Sequence, residues 1–401
     1  MTSLMKKGLM IFQYLHIAYR ACLLRRESGD SVTLYGFYGA SDKASDRTIG
    51  DNAILRSMLE ALDGIAVDKL IGVIDCEGTY DRFGTEFCAR PGITDLSTWL
   101  PIIKKTKLFL LGGGGLFQDY GKSKWVPFSL FLLSFLFWVA GRKIMWYSIG
   151  VGPLVTKAGR IFTRLAAQLA DGITVRDSES KQLLTDIGVK EASVYVTADP
   201  AVAMRFRPKE NSSRKGKIVG LSLSPFYETV FDDEKKNTGL RVVFVDFIQF
   251  LLDAGYAVRL FAFRSGPDIQ LYEQIVADVN NPGVKIVERS FNEEEILKEY
   301  TDLDYFVGMR FHSIIFSMLA SVPVGIIIYH PKVRSLVNSA KLEEYSVELN
   351  NLTLSNMKYM FSRLERDDFL VKGKMETWIE TQRVRLIENV KMVERLLYNG
   401  D

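Results

Sequence analysis

Cysteine is scarce in this 401-residue chain, with Cys22, Cys76 and Cys88 its only three. No CxxC pair and no Cys/His ligand spacing occurs, which excludes a disulfide framework and a zinc site as organising principles. A reducing, cytosolic setting is the default for such a sequence. Histidine is equally rare: His16, His312 and His330. Charge of one sign is also missing. Lys and Arg total 51 against 48 Asp and Glu, a net charge of +3, so bulk electrostatics do not favour nucleic acid. No run is long enough to span a bilayer, which takes roughly 20 apolar residues. The uncharged stretch from Trp125 to Ala140 is shorter, lies between Lys124 and Arg142, and has Pro127 where a first helical turn begins. It is expected as a helix buried between a sheet and its surroundings. The first 26 residues lack a small-residue cleavage site and so do not form a signal peptide. They read as a basic amphipathic helix, lying on an anionic membrane surface or packed on the first domain.

What is present is alternation. Apolar strand-like runs alternate with helical stretches, the pattern of parallel α/β layers. Strands are expected at 32–35, 70–74, 108–111, 143–148, 172–175 and 194–196. After a polar, basic stretch from Arg205 to Lys217 a second series follows at 218–223, 257–263, 284–287, 305–307 and 324–329. Residues 354–397 look helical and suit packing back across both domains. The expected organisation is an N-terminal extension (1–30), an α/β domain (31–205), a linker (206–217), a second α/β domain (218–350) and C-terminal helices (351–401). There is no internal repeat and no low-complexity tract.

Glycines and reactive side chains recur at the carboxyl ends of these strands, the edge where open α/β sheets bind ligands. Gly112-Gly113-Gly114-Gly115 follows one strand and leads to Gln118 and Asp119. Such glycines let a backbone approach a ligand, and amides at a helix start favour anions; tight packing of strand on helix demands the same residues. There is no G-x-G-x-x-G in a dinucleotide context and no Walker lysine. Gln118 and Asp119 suit either hydrogen bonds to sugar hydroxyls or capping of the next helix. Gly150-Val151-Gly152-Pro153 is a second glycine loop. Arg176 closes another strand, as an anion binder or as an ion-pair partner of Asp177. Gly308-Met309-Arg310-Phe311-His312 sets a fixed cation two residues from an imidazole near a helix start, where the helix dipole favours a neutral or readily deprotonated ring. General acid or base work on an anionic substrate fits that pair. Lys332 is a candidate point charge for phosphate, and His330 is expected as a solvated loop residue.

Taken in order, these residues resemble the polysaccharide pyruvyl transferase family. The matching elements are Gly36-x-x-Gly39 with Gly50-Asp51-x-Ala53, Gly113 to Asp119, Gly150-x-Gly152-Pro153-Leu154, Val175-Arg176-Asp177-x-x-Ser180, Asp199-Pro200-Ala201, Gly308 to His312, Val322-Pro323-Val324, and Tyr329-x-Pro331-Lys332-Val333. They span roughly residues 32–335. Thr48 stands where an asparagine is common, Phe311 replaces a leucine, and His330 replaces an aspartate. The resemblance implies two facing Rossmann-like domains, GT-B-like, with a helical C-terminal segment. It implies transfer of pyruvyl from phosphoenolpyruvate onto two hydroxyls of one sugar as a cyclic ketal, in exopolysaccharide or cell-surface glycan biosynthesis. Arg310 and His312 would be catalytic. Arg176, Lys332, Gly113, Gly114, Gly115, Gln118, Asp119, Gly150, Gly152 and Gly308 would contact substrate. No metal and no cofactor is implied beyond phosphoenolpyruvate as donor. The acceptor would be a saccharide or lipid-linked oligosaccharide, and the setting cytoplasmic or peripheral on the inner face of the cell membrane. Two other readings stay open: a GT-B nucleotide-sugar glycosyltransferase, and a non-catalytic subunit of a polysaccharide assembly complex.

Overall fold

A computed structural model of the protein describes residues 18–27, 29–37, 48–63, 65, 69–74, 85–89, 91–92, 95–120, 125–206, 217–226, 234–287 and 292–398. Most of the N-terminal amphipathic segment (1–17) and of the linker (207–216), together with residues 38–47 and so Gly39, lies outside these residues. The chain divides into two compact units. The first comprises 1–42, 54–200 and 385–401, the second 43–53 and 201–384.

The first unit is built on β1 (Ser31–Tyr35), β2 (Lys69–Ile74), β3 (Thr85–Ala89), β4 (Thr106–Gly112), β5 (Gly115–Phe117), β6 (Lys143–Val151), β7 (Gly172–Val175) and β8 (Val194–Val196). All pair in parallel, in the order β3-β2-β1-β4-β6-β7-β8, with β5 joined to β6 off that path. Parallel neighbours need crossovers, and the helices supply them: α1 (Ile49–Asp63), α2 (Leu96–Lys105), α3 (Val126–Val139), α4 (Lys157–Gln168) and α5 (Ser178–Asp186). Covered on both faces, the central strands are continuous apolar runs; every residue of β6 after Lys143 is buried.

The second unit repeats the plan with β9 (Lys217–Ser222), β10 (Tyr256–Phe261), β11 (Val284–Val287), β12 (Tyr305–Gly308), β13 (Val324–Ile328) and β14 (Ser346–Glu348). Their order is β11-β10-β9-β12-β13-β14, again all parallel. Helices α6 (Glu234–Asp253), α7 (Ser265–Val279), α8 (Glu293–Tyr300), α9 (Phe311–Leu319), α10 (Pro331–Ala340), α11 (Leu354–Arg366) and α12 (Asp368–Tyr398) complete the chain. In each sheet the first strand lies between the second and the fourth. That is the doubly wound Rossmann order, with switch points at β1/β4 and β9/β12.

Three short strands, β3, β5 and β14, were not expected from the sequence, and α3 differs in character from its expectation. The helix is there, but it is not enclosed: Trp125 at its start and Trp138 near its end are exposed, and Phe128, Phe131 and Phe135 are half-buried. A uniformly apolar sequence has no polar face to reveal which side meets solvent.

A buried polar network anchors the end of the chain in the first unit. The β6–β7 register breaks between Trp146 and Ile149, and Ser148 there has φ 51°. Its N–H donates to the Thr174 hydroxyl (2.7 Å) and its own hydroxyl lies 2.9 Å from that of Thr197. Asn389 of α12, fully buried, donates to the Ser148 hydroxyl (2.8 Å) and accepts from Thr174 (2.6 Å).

Candidate functional site

In the first unit the glycine loop after β4 leads into β5, not directly into a helix. Its amides are committed to protein: Gly113 N–H donates to Tyr147 O (2.8 Å) and Gly114 N–H to Gly112 O (2.9 Å). In the second loop, Gly150 N–H donates to Gly114 O (2.9 Å) and Gly152 N–H to Phe117 O (2.7 Å). A methyl group on Gly113 would come within 2.0 Å of Ile54. These glycines therefore serve the close packing of β4, β6 and α1, and the loops are not an open amide cradle. Asp119 is likewise occupied. It is fully buried, and its carboxylate accepts from the N–H groups of Val155 and Thr156 and from the Thr156 hydroxyl, which fixes the start of α4. It holds Thr156, the N-cap of α4, and does not cap the next helix along the chain. Gln118 is half-buried, and its side-chain amide makes no hydrogen bond among the described residues.

Arg176, at the end of β7, lies against β6. A methyl on Gly150 would meet its guanidinium at 2.6 Å, so only glycine leaves room, and Gly115 is adjacent. Its Nε pairs with Asp177 (3.3 Å) and its Nη1 with Asp199 (3.2 Å), with the Arg176 and Asp199 side chains almost fully buried. Asp177 also accepts from Ser180 N–H (2.7 Å) and so caps α5. Of the two roles open to Arg176 from sequence, these contacts are those of an ion-pair partner.

The second unit gathers its candidates at the carboxyl edge of the β9/β12 switch point. Arg310 follows β12 directly after Met309, whose N–H donates to Ser222 O of β9 (2.7 Å). Gly308 closes the strand; a side chain there would strike Ile314 at 2.7 Å. Arg310 is held at Nε (3.2 Å) and Nη2 by the two carboxylate oxygens of Asp268 in α7. Asp268 has no exposed surface and also accepts from the N–H groups of Phe263 (3.2 Å) and Arg264 (2.9 Å). Burial opposes the charge on Arg310, but attraction to and hydrogen bonding with Asp268 outweigh it, and the guanidinium is held above its ordinary range. Its third nitrogen, Nη1, has no hydrogen-bond partner among the described residues, and the side chain is 19% exposed. A planar fork fixed on one edge and open on the other is an anion clamp with its orientation set in advance.

His312, in the first turn of α9, stands against the start of α1. A methyl group at Gly50 would lie 2.0 Å from its Nδ1. The segment bearing Gly50 is tied to this unit by the N–H of Ile49 donating to Phe263 O (3.1 Å) and a bridge between Thr48 and Arg264. Two motifs some 260 residues apart thus meet at one ring. Lys332, in the first turn of α10, is half-buried with Nζ 5.8 Å from the centre of the Phe311 ring, and among the described residues it has no carboxylate partner. His330 corrects its expectation: it is buried, and its Nδ1 accepts from Lys332 N–H (3.2 Å) to cap α10.

Three contributors escaped the sequence reading. Asp268 is one; the signal available was an acid in the first turn of a helix that follows a strand-end arginine. Arg264 is the second: half-exposed, beside Asp268, and without an ion pair among the described residues. Ser224 is the third. It lies just past β9, 1% exposed, and its hydroxyl has no hydrogen-bond partner among the described residues. Below them Tyr272 of α7 ties β9 to β10, its hydroxyl bonded to Leu223 N–H and O and to Phe261 O. Arg264, Arg310 and Lys332 outnumber Asp268 and Asp51, the residue after Gly50, at this strand edge. Among the described residues no group of three or more His, Cys, Asp or Glu comes together as a metal site.

Two doubly wound parallel units followed by C-terminal helices make this a GT-B-like protein, and solved structures agree. Staphylococcus aureus MnaA, in a co-structure with UDP, superposes with a TM-score of 0.61 at 12% identity, over 92% of this chain and 96% of that one. Anabaena HepE, solved with UDP and glucose, gives 0.56 at 10% identity over 93% and 100%. The Neisseria meningitidis UDP-GlcNAc 2-epimerase bound to UDP-GlcNAc gives 0.54 at 9% identity over 92% and 100%. At these identities the likeness is one of fold. A search of curated proteins finds no match. The family model for polysaccharide pyruvyl transferase matches residues 49–331, and the chain belongs to that family of transferases.

Proposed function

We propose that this protein transfers the pyruvyl group of phosphoenolpyruvate to two hydroxyls of one sugar unit in a surface or secreted polysaccharide, closing a cyclic ketal. The observation that carries the reading is the positive strand edge of the second unit, where the Asp268-held Arg310 lies within two residues of His312. Phosphoenolpyruvate has a carboxylate and a phosphate. Arg310 takes one of these anionic groups through its open edge, with Lys332 and Arg264 as further charges and the Ser224 hydroxyl as a donor.

A proton adds to the methylene carbon, which becomes the methyl group, and the adjacent carbon takes up positive character. One sugar hydroxyl attacks that carbon and gives up its proton. The C–O bond to phosphate breaks, the second hydroxyl adds at the same carbon, and its proton balances the charge of the departing phosphate. His312, with Nδ1 beside Gly50, is the group placed to move one of these protons.

The test is phosphate release from phosphoenolpyruvate by the purified full-length protein across a panel of glycosides and lipid-linked sugars, with mass spectrometry of the acceptor. Acceptor-dependent release with a pyruvyl ketal mass gain is expected, and His312→Gln should reduce it by about a hundredfold or more. Full turnover in His312→Gln removes His312 from the chemistry. No release with any acceptor, together with thermal stabilisation by a UDP-sugar, replaces the reading with a nucleotide-sugar transferase.

A further inference from the structure

The partly exposed helix α3 carries an ordered aromatic row. Trp125, Phe128, Phe131, Phe135 and Trp138 recur at three- and four-residue steps, which places them on one helical face. Three of the four successive pairs are in ring contact: Trp125–Phe128 at 6.3 Å, Phe131–Phe135 at 6.2 Å and Phe135–Trp138 at 5.9 Å between centroids. Phe162 of α4 joins Phe128 and Phe131 at 4.8 and 5.6 Å. The row is not enclosed, since Trp125 is 75% and Trp138 51% exposed, and α4 adds exposed Ile161 and Leu165 beside it. Exposed apolar surface of this extent marks an interaction site.

Charge decides the occupant. Helix α3 has no charged residue, and α4 has Lys157, Arg160 and Arg164 with no acid. All three are exposed, and among the described residues none has an acidic partner. A second copy of this face would bring its own cations against these. The N-terminal segment, with Lys6 and Lys7 and no acid before Glu27, would do the same. The complementary surface is apolar within and negative outside. At 14 residues α3 is too short to cross a bilayer, and no helix among the described residues is long and apolar enough to do so. Trp at both ends of an apolar face, with basic residues on the outer side of the neighbouring helix α4, is the make-up of a surface lying in the headgroup region.

We propose that the α3–α4 face of the first unit docks on an anionic lipid bilayer, with Trp125 and Trp138 entering the interface and Lys157, Arg160 and Arg164 meeting lipid phosphates. The proposal stands independently of the pyruvyl reaction. It is tested by sedimenting the full-length protein with phosphatidylglycerol-containing vesicles and with phosphatidylcholine vesicles. Binding to the anionic vesicles is expected, weakening as salt screens the cations. The W125S/W138S and R160E/R164E double variants should each lower partitioning at least about tenfold with melting unchanged. In the unmodified protein, brominated lipid should quench tryptophan fluorescence, because Trp99, Trp146 and Trp378 are buried and only Trp125 and Trp138 face outward. The quenching readout holds even if a variant fails to fold. The proposal is overturned by any of four results: no sedimentation with anionic vesicles, no quenching, binding that survives both double variants, or binding lost on deleting residues 1–17 but retained in both double variants. A dimer that W138S dissociates, without lipid binding, would make the face a self-interface instead.

Discussion

Both carboxylate oxygens of Asp268 are given to Arg310, while the same carboxylate accepts the N–H groups of residues 263 and 264. The clamp and the β10 loop are therefore one unit of structure. Asp268→Ala leaves a largely buried cation and two N–H groups without their acceptor, and should cost about 3–5 kcal/mol in urea unfolding. Asp268→Asn keeps the shape but lets the fork turn. It should fold with a smaller loss and lower kcat at least about tenfold. Wild-type kcat in the Asn variant would mean that the orientation of Arg310 does not matter.

Gly50→Ala separates propensity from function. Alanine is favoured over glycine within a helix by about 1 kcal/mol. Here the added methyl falls 2.0 Å from His312 Nδ1, so the ring must move. The expected variant melts near the wild type yet loses about a hundredfold in phosphate release. Retained activity would show that His312 works from a different position.

Ser224→Ala should move stability and activity in opposite directions. The buried hydroxyl has no partner among the described residues, and such a group costs the folded state about 1–3 kcal/mol. Alanine should raise the denaturation midpoint and weaken kcat/KM for phosphoenolpyruvate. A variant more stable and equally active would make Ser224 a packing residue only.

Lys332 and Arg176 should behave as opposites. Lys332 Nζ makes no ion pair among the described residues, so Lys332→Ala should barely change stability. It should raise KM for phosphoenolpyruvate about ten- to a hundredfold. Arg176 holds Asp177 and Asp199, so Arg176→Met should lose about 3 kcal/mol while the folded fraction keeps its KM. A KM effect in Arg176→Met would restore it as a substrate contact.

The α/β alternation was legible because buried parallel strands are continuous apolar runs with glycine at their ends, as at Leu108–Leu111 and Tyr305–Val307. The short strands β3, β5 and β14 were not, because three to five residues carry little periodic signal. Arg310, His312 and Lys332 were legible as residue types at strand ends. What they touch was not. The Gly50–His312 contact joins distant segments, and Asp268 looks in sequence like any acid in a first helical turn. The glycine loops were ambiguous for a related reason: a sequence does not say whether a glycine opens onto a ligand or onto Ile54.

Asn389 has a consequence for synthesis. A ribosome delivers β6 and β7 more than 200 residues before the amide that completes their polar seam. The first unit is thus completed only when α12 is made. Until α12 emerges, Ser148 and Thr174 lack the Asn389 amide, and the nascent first unit waits in an incomplete state. A truncation just before Asn389 would strike the unit that carries β6 and β7, not the helix alone.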